Sequence, residues 1–309
     1  MSPKPKISLW KDVRFWRFAG QAIALILLLL AFSYLVSNLN LNLQRLGIRV
    51  GFDFLNSQAG FAIGDSPIPY QPANSYGWAL LVGLINSLRV IGAGLVLATI
   101  VGVAVGIARL SDNWLVRNLA MIYVEVLRNV PLLLQLFFWY FAIFFSLPSV
   151  ASPLNWLGVL SLSKNGMQLG NLHLSSEFSA LLLGLAIYTA TFIAEVVRGG
   201  IQSVPQGQWE AARSLGLKPA RMMGLVIFPQ ALRAIVPPLA NQYLNLAKNS
   251  SLAIAIGYSD LYAISATTFN QTGRAVEVMA LICGTYLTIS LTISLLMNFY
   301  NRSVQLVER

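Results

Sequence analysis

Ser203-Val204-Pro205-Gln206-Gly207-Gln208-Trp209-Glu210-Ala211-Ala212-Arg213-Ser214-Leu215-Gly216, running into Leu217-Lys218-Pro219, is a polar stretch set between apolar runs. The pattern predicts two short helices around a turn. Pro205 suits a helix start, Gly216 suits the left-handed residue after a helix end, and Pro219 suits the first turn of the next helix. That second helix is expected to reach about Phe228, where Pro229 limits it. Ala211 and Ala212 would form a low-relief surface that another protein can approach closely, beside the charge of Glu210 and the apolar faces of Trp209 and Leu215. On pattern alone, docking in a partner's groove and lying on lipid headgroups stand equal.

Working outward, runs free of Asp, Glu, Lys and Arg occur at Ala19 to Val36, Val90 to Ala108, Val130 to Val150, Phe178 to Ala194, Ile235 to Ala247 and Val278 to Asn301. A hydrocarbon layer about 30 Å thick is crossed by roughly 20 helical residues, so the chain is expected to be an all-α integral membrane protein with six transmembrane helices. Composition agrees: of 309 residues 56% are hydrophobic and 10% charged, with mean hydropathy +0.66. An ordinary soluble domain is excluded. The fifth run is irregular, with Pro237 and Pro238 at its start and Lys248 interrupting the apolar pattern. The first follows Lys4, Lys6, Lys11, Arg14 and Arg17, as a signal peptide would. Its length and its lack of a small-residue cleavage site predict an uncleaved anchor.

Charge asymmetry sets the expected orientation. With the amino terminus inside, one side carries Lys4, Lys6, Lys11, Arg14, Arg17, Arg109, Arg117, Arg128, Arg198, Arg213, Lys218, Arg221, Arg233, Arg302 and Arg309. The other carries Arg45, Arg49, Lys164 and Arg274, with Arg89 and Lys248 at or within spans. Lys and Arg gather in cytoplasmic loops, so both termini are expected in the cytoplasm, and the formal charge of +10 reflects topology rather than nucleic-acid binding. Residues 1–76 comprise the amino terminus, first helix and a long outside loop; residues 77–309 form the main transmembrane domain, with the polar hairpin at 202–233. The outside loops, Ser37 to about Tyr76 and Ser152 to Glu177, carry turn-forming residues and neither is expected to fold as a domain.

Catalytic signatures are missing. One cysteine, Cys283, excludes a disulfide within the chain and a cysteine-built zinc site, and one histidine, His173, leaves little histidine chemistry. No phosphate-binding loop, His-Glu-x-x-His or Gly-x-Ser-x-Gly pattern occurs. No catalytic or metal site is expected.

Other residues carry packing or route expectations. Gly94, Ala98, Gly102 and Gly106 form a small-residue stripe for close helix approach. Glu125 and Arg128 are spaced for a local ion pair, and a role at a gate on the cytoplasmic side stands equal to it. A charge within the membrane normally faces a cavity or partner, so Lys248 stands equally for meeting a substrate carboxylate or for bracing helices. Glu195, with Thr189 and Thr191 before it, would meet an ammonium; the plainer reading places Glu195 beside Arg198 near the cytoplasmic end. Tyr188, Asn245, Asn249, Ser250 and Ser251 are further route candidates.

Glu210-Ala211-Ala212, then Gly216, then Ile227-Phe228-Pro229, resembles the Glu-Ala-Ala loop of ATP-binding-cassette (ABC) importer permeases, with Phe228 where that pattern often has Leu. Tyr123-Val124-Glu125-Val126-Leu127-Arg128-Asn129-Val130-Pro131-Leu132-Leu133-Leu134-Gln135, Ala194-Glu195-Val196-Val197-Arg198-Gly199-Gly200-Ile201 and Lys248-Asn249-Ser250-Ser251-Leu252 resemble the polar-amino-acid branch. Gly51-Phe52-Asp53-Phe54-Leu55 and Ala59-Gly60-Phe61 are similar to the larger permease of general L-amino-acid importers. The resemblance implies a non-catalytic, multi-pass subunit of the bacterial inner membrane. It would pair with a second, homologous permease, two ATPase subunits and an extracytoplasmic amino-acid-binding protein. ATP and Mg would sit on the ATPase, leaving this chain without a cofactor, and Trp209, Glu210, Ala211, Ala212, Leu215 and Gly216 would couple to that ATPase. An ion- or proton-coupled secondary transporter is the alternative, but a self-sufficient carrier needs no ATPase dock.

Overall fold

The computed structural model describes residues 13–45, 47, 51–156 and 159–305. Lys4, Lys6, Lys11, Arg49 and Arg309 of the charge argument lie outside them. Residues 1–52 and 53–309 form two separate units. In the first, α1 (Val13–Arg45) runs nine residues past the expected end at Val36, and its most apolar window has mean hydropathy 2.3 with none of it buried. Such an all-round apolar surface belongs to a helix that meets lipid or another chain.

The second unit begins with a loop over residues 53–75 that leads into α2 (Tyr76–Ala108). Ser75 caps α2 by accepting from the Trp78 N–H. The helix starts well before the charge-free run because Arg89 sits inside it. Charge marks the edge of the hydrocarbon, whereas backbone hydrogen bonding ends the helix.

The third expected span is broken. After α3 (Trp114–Asn129) the chain turns by 106° and continues as α4 (Leu132–Phe137), a π turn Phe138–Ile143 and a 3-10 turn Phe144–Ser146. Pro131 explains the break: it forces Val130 into extended backbone, φ −98° and ψ 127°. The freed carbonyls find a donor in Gln135, whose Nε2 reaches Leu127 O at 2.8 Å and Val130 O at 2.9 Å. Among the described residues, five helices are therefore long and apolar enough to cross a membrane, or six if the bent pair counts as one span.

The second outside loop, whose turn-forming residues give no sign of strands, folds into an antiparallel meander: β1 (Leu154–Trp156), β2 (Leu160–Ser163), β3 (Gly166–Leu169) and β4 (Leu172–Ser175). It feeds α5 (Ser176–Gln202), capped by Ser175. Then come α6 (Gln206–Ser214), α7 (Pro219–Met222), a π turn Met223–Ile227, α8 (Phe228–Asn249), a 3-10 segment Ser250–Ile256, α9 (Leu261–Thr272) and α10 (Ala275–Val304). Contrary to expectation, Pro229 does not stop the helix. The wide π turn immediately before it relaxes the backbone where Pro lacks its N–H. Pro237 and Pro238 likewise lie inside α8 rather than at its start.

The small-residue stripe does what its spacing suggests. A Cβ at Gly102 would lie 2.6 Å from the Ile193 side chain, and one at Gly106 only 2.8 Å from Ala194 O. Ala98 is fully buried, and Gly94 faces Leu246 of α8. Thus α2 and α5 touch almost backbone to backbone.

Candidate functional site

The polar hairpin has the predicted local geometry. Pro205 precedes the first residue of α6, Gly216 takes φ +69° just after it, and Pro219 opens α7. Its outward surface differs from the expected one. Glu210, Ala211, Leu215 and Gly216 are exposed and Trp209 is half-buried, but Ala212 is 2% exposed and packs into the chain's own core with Met222 and Ile227. The helical period explains this: residues 211 and 212 lie 100° apart, so both cannot face out. Gln230 on α8 donates to Gln208 at 3.2 Å, tying the hairpin to the membrane-crossing helix.

At the hairpin end of the helices, Glu195 on α5 is held by three arginines from three helices. Arg198 reaches it at 2.9 Å through Nε and through Nη2, Arg128 stands at 3.6 Å, and Arg109 donates from the end of α2. Arg198 also donates to Gln202 at 2.7 Å, and the Arg128 guanidinium lies 5.2 Å from the Phe192 ring centre. Burial first, and the neighbouring Arg198 second, lower the Arg109 pKa from its ordinary value. Glu195 therefore has the plainer role, bracing helix ends beside Arg198. The expected pair of Glu125 with Arg128 is replaced, because Arg128 turns to Glu195, which is less exposed and gives a stronger interaction. Sequence spacing showed the Arg198 contact but not those of Arg109 and Arg128, which come from other helices.

Glu195 and Lys248 do not share one small ligand. Gly102 meets Ile193 and Gly94 meets Leu246, so the two charges lie roughly 15–20 Å apart along the helix axes at 1.5 Å per residue. An amino acid's carboxylate and ammonium flank a single carbon. The companions of Glu195 are also withdrawn: Thr189 is 4% exposed, and buried Thr191 donates to Tyr188 O at 2.7 Å. Tyr188 is half-buried with its ring against Phe192. Ser250 is buried and donates to Ala247 O, while Ser251 donates to Lys248 O, each at 2.8 Å.

Lys248 itself is exposed, not covered by its own chain. With Asn241 and Asn245, also exposed, it forms a stripe at helical spacing on α8, flanked by half-buried Asn249. Asn241 was not a sequence candidate; its spacing of four and seven residues from Asn245 and Lys248 was the available signal. Hydrocarbon cannot satisfy such a stripe, so it faces a partner or a wet cavity.

At the opposite, loop end, Asp65 accepts from Arg89 at 3.2 Å and from Ser175 at 3.0 Å, while Asn86 Nδ2 donates to Asp65 O at 2.7 Å and Ser259 O at 2.9 Å. Arg89 also lies 5.1 Å from the Phe178 ring centre. Phe54 and Ala59 of the same loop pack on Tyr76, Ala79, Leu261 and Val278. The loop is thus a folded clasp over three helix ends.

Residues 94–309 match the family described as "Binding-protein-dependent transport system inner membrane component". The putative amino-acid ABC transporter permease protein YhdX of Escherichia coli is 40% identical, with 96% of this chain and 95% of that protein covered. The general L-amino acid transport system permease protein AapQ of Rhizobium johnstonii is 39% identical over 93% and 92%. Among solved structures, an amino acid ABC transporter with histidines aligns at TM-score 0.59 and 29% identity, covering 74% of this chain and 95% of that one. The MetNI methionine ABC transporter in an inward-facing conformation aligns at TM-score 0.57 and 18% identity, over 74% and 98%, and shows the fold alone. These matches and the helical architecture agree: the chain belongs to the inner-membrane permease family of binding-protein-dependent ABC transport systems.

Proposed function

We propose that the protein is the membrane subunit of an ATP-driven amino-acid importer. It forms the translocation route together with a second, homologous permease. The observation that carries this reading is the uncovered stripe of Asn241, Asn245 and Lys248 on a membrane-crossing helix. A second permease covers such a stripe, and between the two subunits Lys248 meets the substrate carboxylate. The relatives' names point to amino acids as cargo.

The hairpin supplies the coupling. Glu210, Ala211, Leu215, Gly216 and the half-buried Trp209 form a surface that fits a groove on an ATPase subunit, two of which hold ATP and Mg; this chain does no chemistry. Closure of the ATPase pair moves the docked α6, and α5 and α8 carry that motion to the route. Arg109, Arg117, Arg128, Arg198, Arg213, Lys218, Arg221 and Arg302 gather at the coupling end, which supports placing that end and both termini in the cytoplasm. The loop end then faces an extracytoplasmic binding protein.

The test is to co-purify the complex, reconstitute it in proteoliposomes and measure uptake of a panel of amino acids with and without ATP. Uptake that needs ATP and the binding protein supports the reading. ATP-independent uptake driven by an ion gradient would sink it in favour of a secondary carrier.

A further inference from the structure

A groove of about 1140 Å³ opens at the coupling end between α2, the start of α3, the end of α5 and the hairpin. Its floor is apolar: Val103, Ile107, Met223 and Phe228. Its rim holds Arg213 and Asp112. The depth of this groove decides what can fill it. Arg89 and Arg109 are twenty residues apart on one helix, about 30 Å by helical rise, which matches the hydrocarbon thickness. Arg109 therefore marks one hydrocarbon edge, and Val103, six residues inside it, lies about 9 Å deep. The groove starts within hydrocarbon and ends among charges.

A peptide entering from water would carry backbone N–H and C=O groups into that depth without partners. An acyl chain carries none. The rim selects further. Arg213 lines it, and exposed Arg117 follows lining residue Val116 and donates to Ser111 O at 3.3 Å. Exposed Lys218 and Arg221 flank lining residues Pro219 and Ala220. Against these four cations stand Asp112 and Glu210, so the rim carries a surplus of two positive charges.

We propose that this groove binds one anionic phospholipid, with an acyl chain against Val103, Ile107, Met223 and Phe228 and the phosphate at the Arg213 rim. Because Trp209 and Arg213 of α6 form one wall, the lipid braces the coupling hairpin against α2. The proposal rests on the membrane placement of α2 and not on the cargo, so failure of the amino-acid reading leaves it standing.

The test uses the assembled transporter in nanodiscs containing dibrominated phosphatidylglycerol or dibrominated phosphatidylcholine at equal mole fraction. Bromine quenches indole fluorescence on contact, and the difference between wild type and Trp209→Phe isolates Trp209. Phosphatidylglycerol should quench that component about threefold or more over phosphatidylcholine. Combined Arg117→Gln, Lys218→Gln and Arg221→Gln should bring the two lipids level. Gly224 lines the groove and has open space at its Cβ position, so Gly224→Leu should reduce quenching by both. Equal quenching by the two lipids in wild type, or none by either, overturns the proposal.

Discussion

Arg89 and Arg109 stand on the same helix with a charge-free run between them, and each is met by a carboxylate from another element, Asp65 at one end and Glu195 at the other. Their separation of about 30 Å equals the hydrocarbon layer. Each end of the charge-free run of α2 is thus fixed by a paired cation, where an unpaired one would be free to snorkel into water.

Removing the clasp at the loop end should loosen the loop and leave the spans intact. Asp65→Asn deprives Arg89 of its counter-charge and weakens the Ser175 contact. The expected loss is about 1–3 kcal/mol, since the pair is partly buried. Limited proteolysis within residues 53–75 should accelerate while the melting temperature of the bundle falls by a few degrees. Unchanged proteolysis would show that the loop is held by its apolar contacts alone.

At the other end, Glu195→Gln leaves Arg109, Arg128 and Arg198 facing one another. Destabilisation of roughly 3–5 kcal/mol is expected. Adding Arg109→Gln should restore part of it, because Arg109 is the least exposed of the three. Thermal melting of both variants in detergent decides, and a double variant worse than the single one contradicts the arrangement.

The proposed route depends on charge at one position. Lys248→Met should lower uptake by tenfold to a hundredfold, the value of about 1.5–3 kcal/mol for a hydrogen bond to a charged group, with ATPase association intact. Wild-type uptake in that variant would leave Lys248 with the bracing role alone.

The hairpin separates a joint from a core. Gly216→Val strains a residue at φ +69° by about 1 kcal/mol or more, and should weaken ATPase association while the permease still melts normally. Ala212→Asp buries an unpaired charge inside the chain, so it should lower the melting temperature of the permease itself. Pull-down and melting read the two effects apart; identical behaviour of both variants would contradict the inward packing of Ala212.

Asp260 gives a pH dependence outside the spans. It caps α9, accepting from the Ala263 N–H at 2.8 Å and from the Tyr286 hydroxyl at 3.4 Å. Burial raises its pKa from 3.8 to about 7 against these hydrogen bonds. Between those values the unfolded carboxyl ionises while the folded one stays protonated, so its contribution to stability falls as pH rises from about 4 to about 7 and is flat above. Asp260→Asn keeps the cap acceptor and should flatten that part of the melting profile. A variant profile parallel to wild type would remove Asp260 as the cause.

The sequence by itself determined much of this protein, because the signals involved are local or periodic. Apolar runs placed the spans, Gly216 and Pro219 placed the hairpin turn, and the stripe from Gly94 to Gly106 announced a close helix contact. Each depends on one residue's backbone preference or on the helical period. Tertiary structure decided the rest. Whether Pro229 ends a helix depended on a π turn upstream, and whether Pro131 breaks one depended on Gln135 finding the freed carbonyls. The partners of Arg89, Arg109 and Arg128 come from distant segments, so no spacing along the chain reveals them. Ala212 and Asn241 show the same division: the chain fixes which residues share a helix face, but only packing against neighbouring helices decides which face is left uncovered.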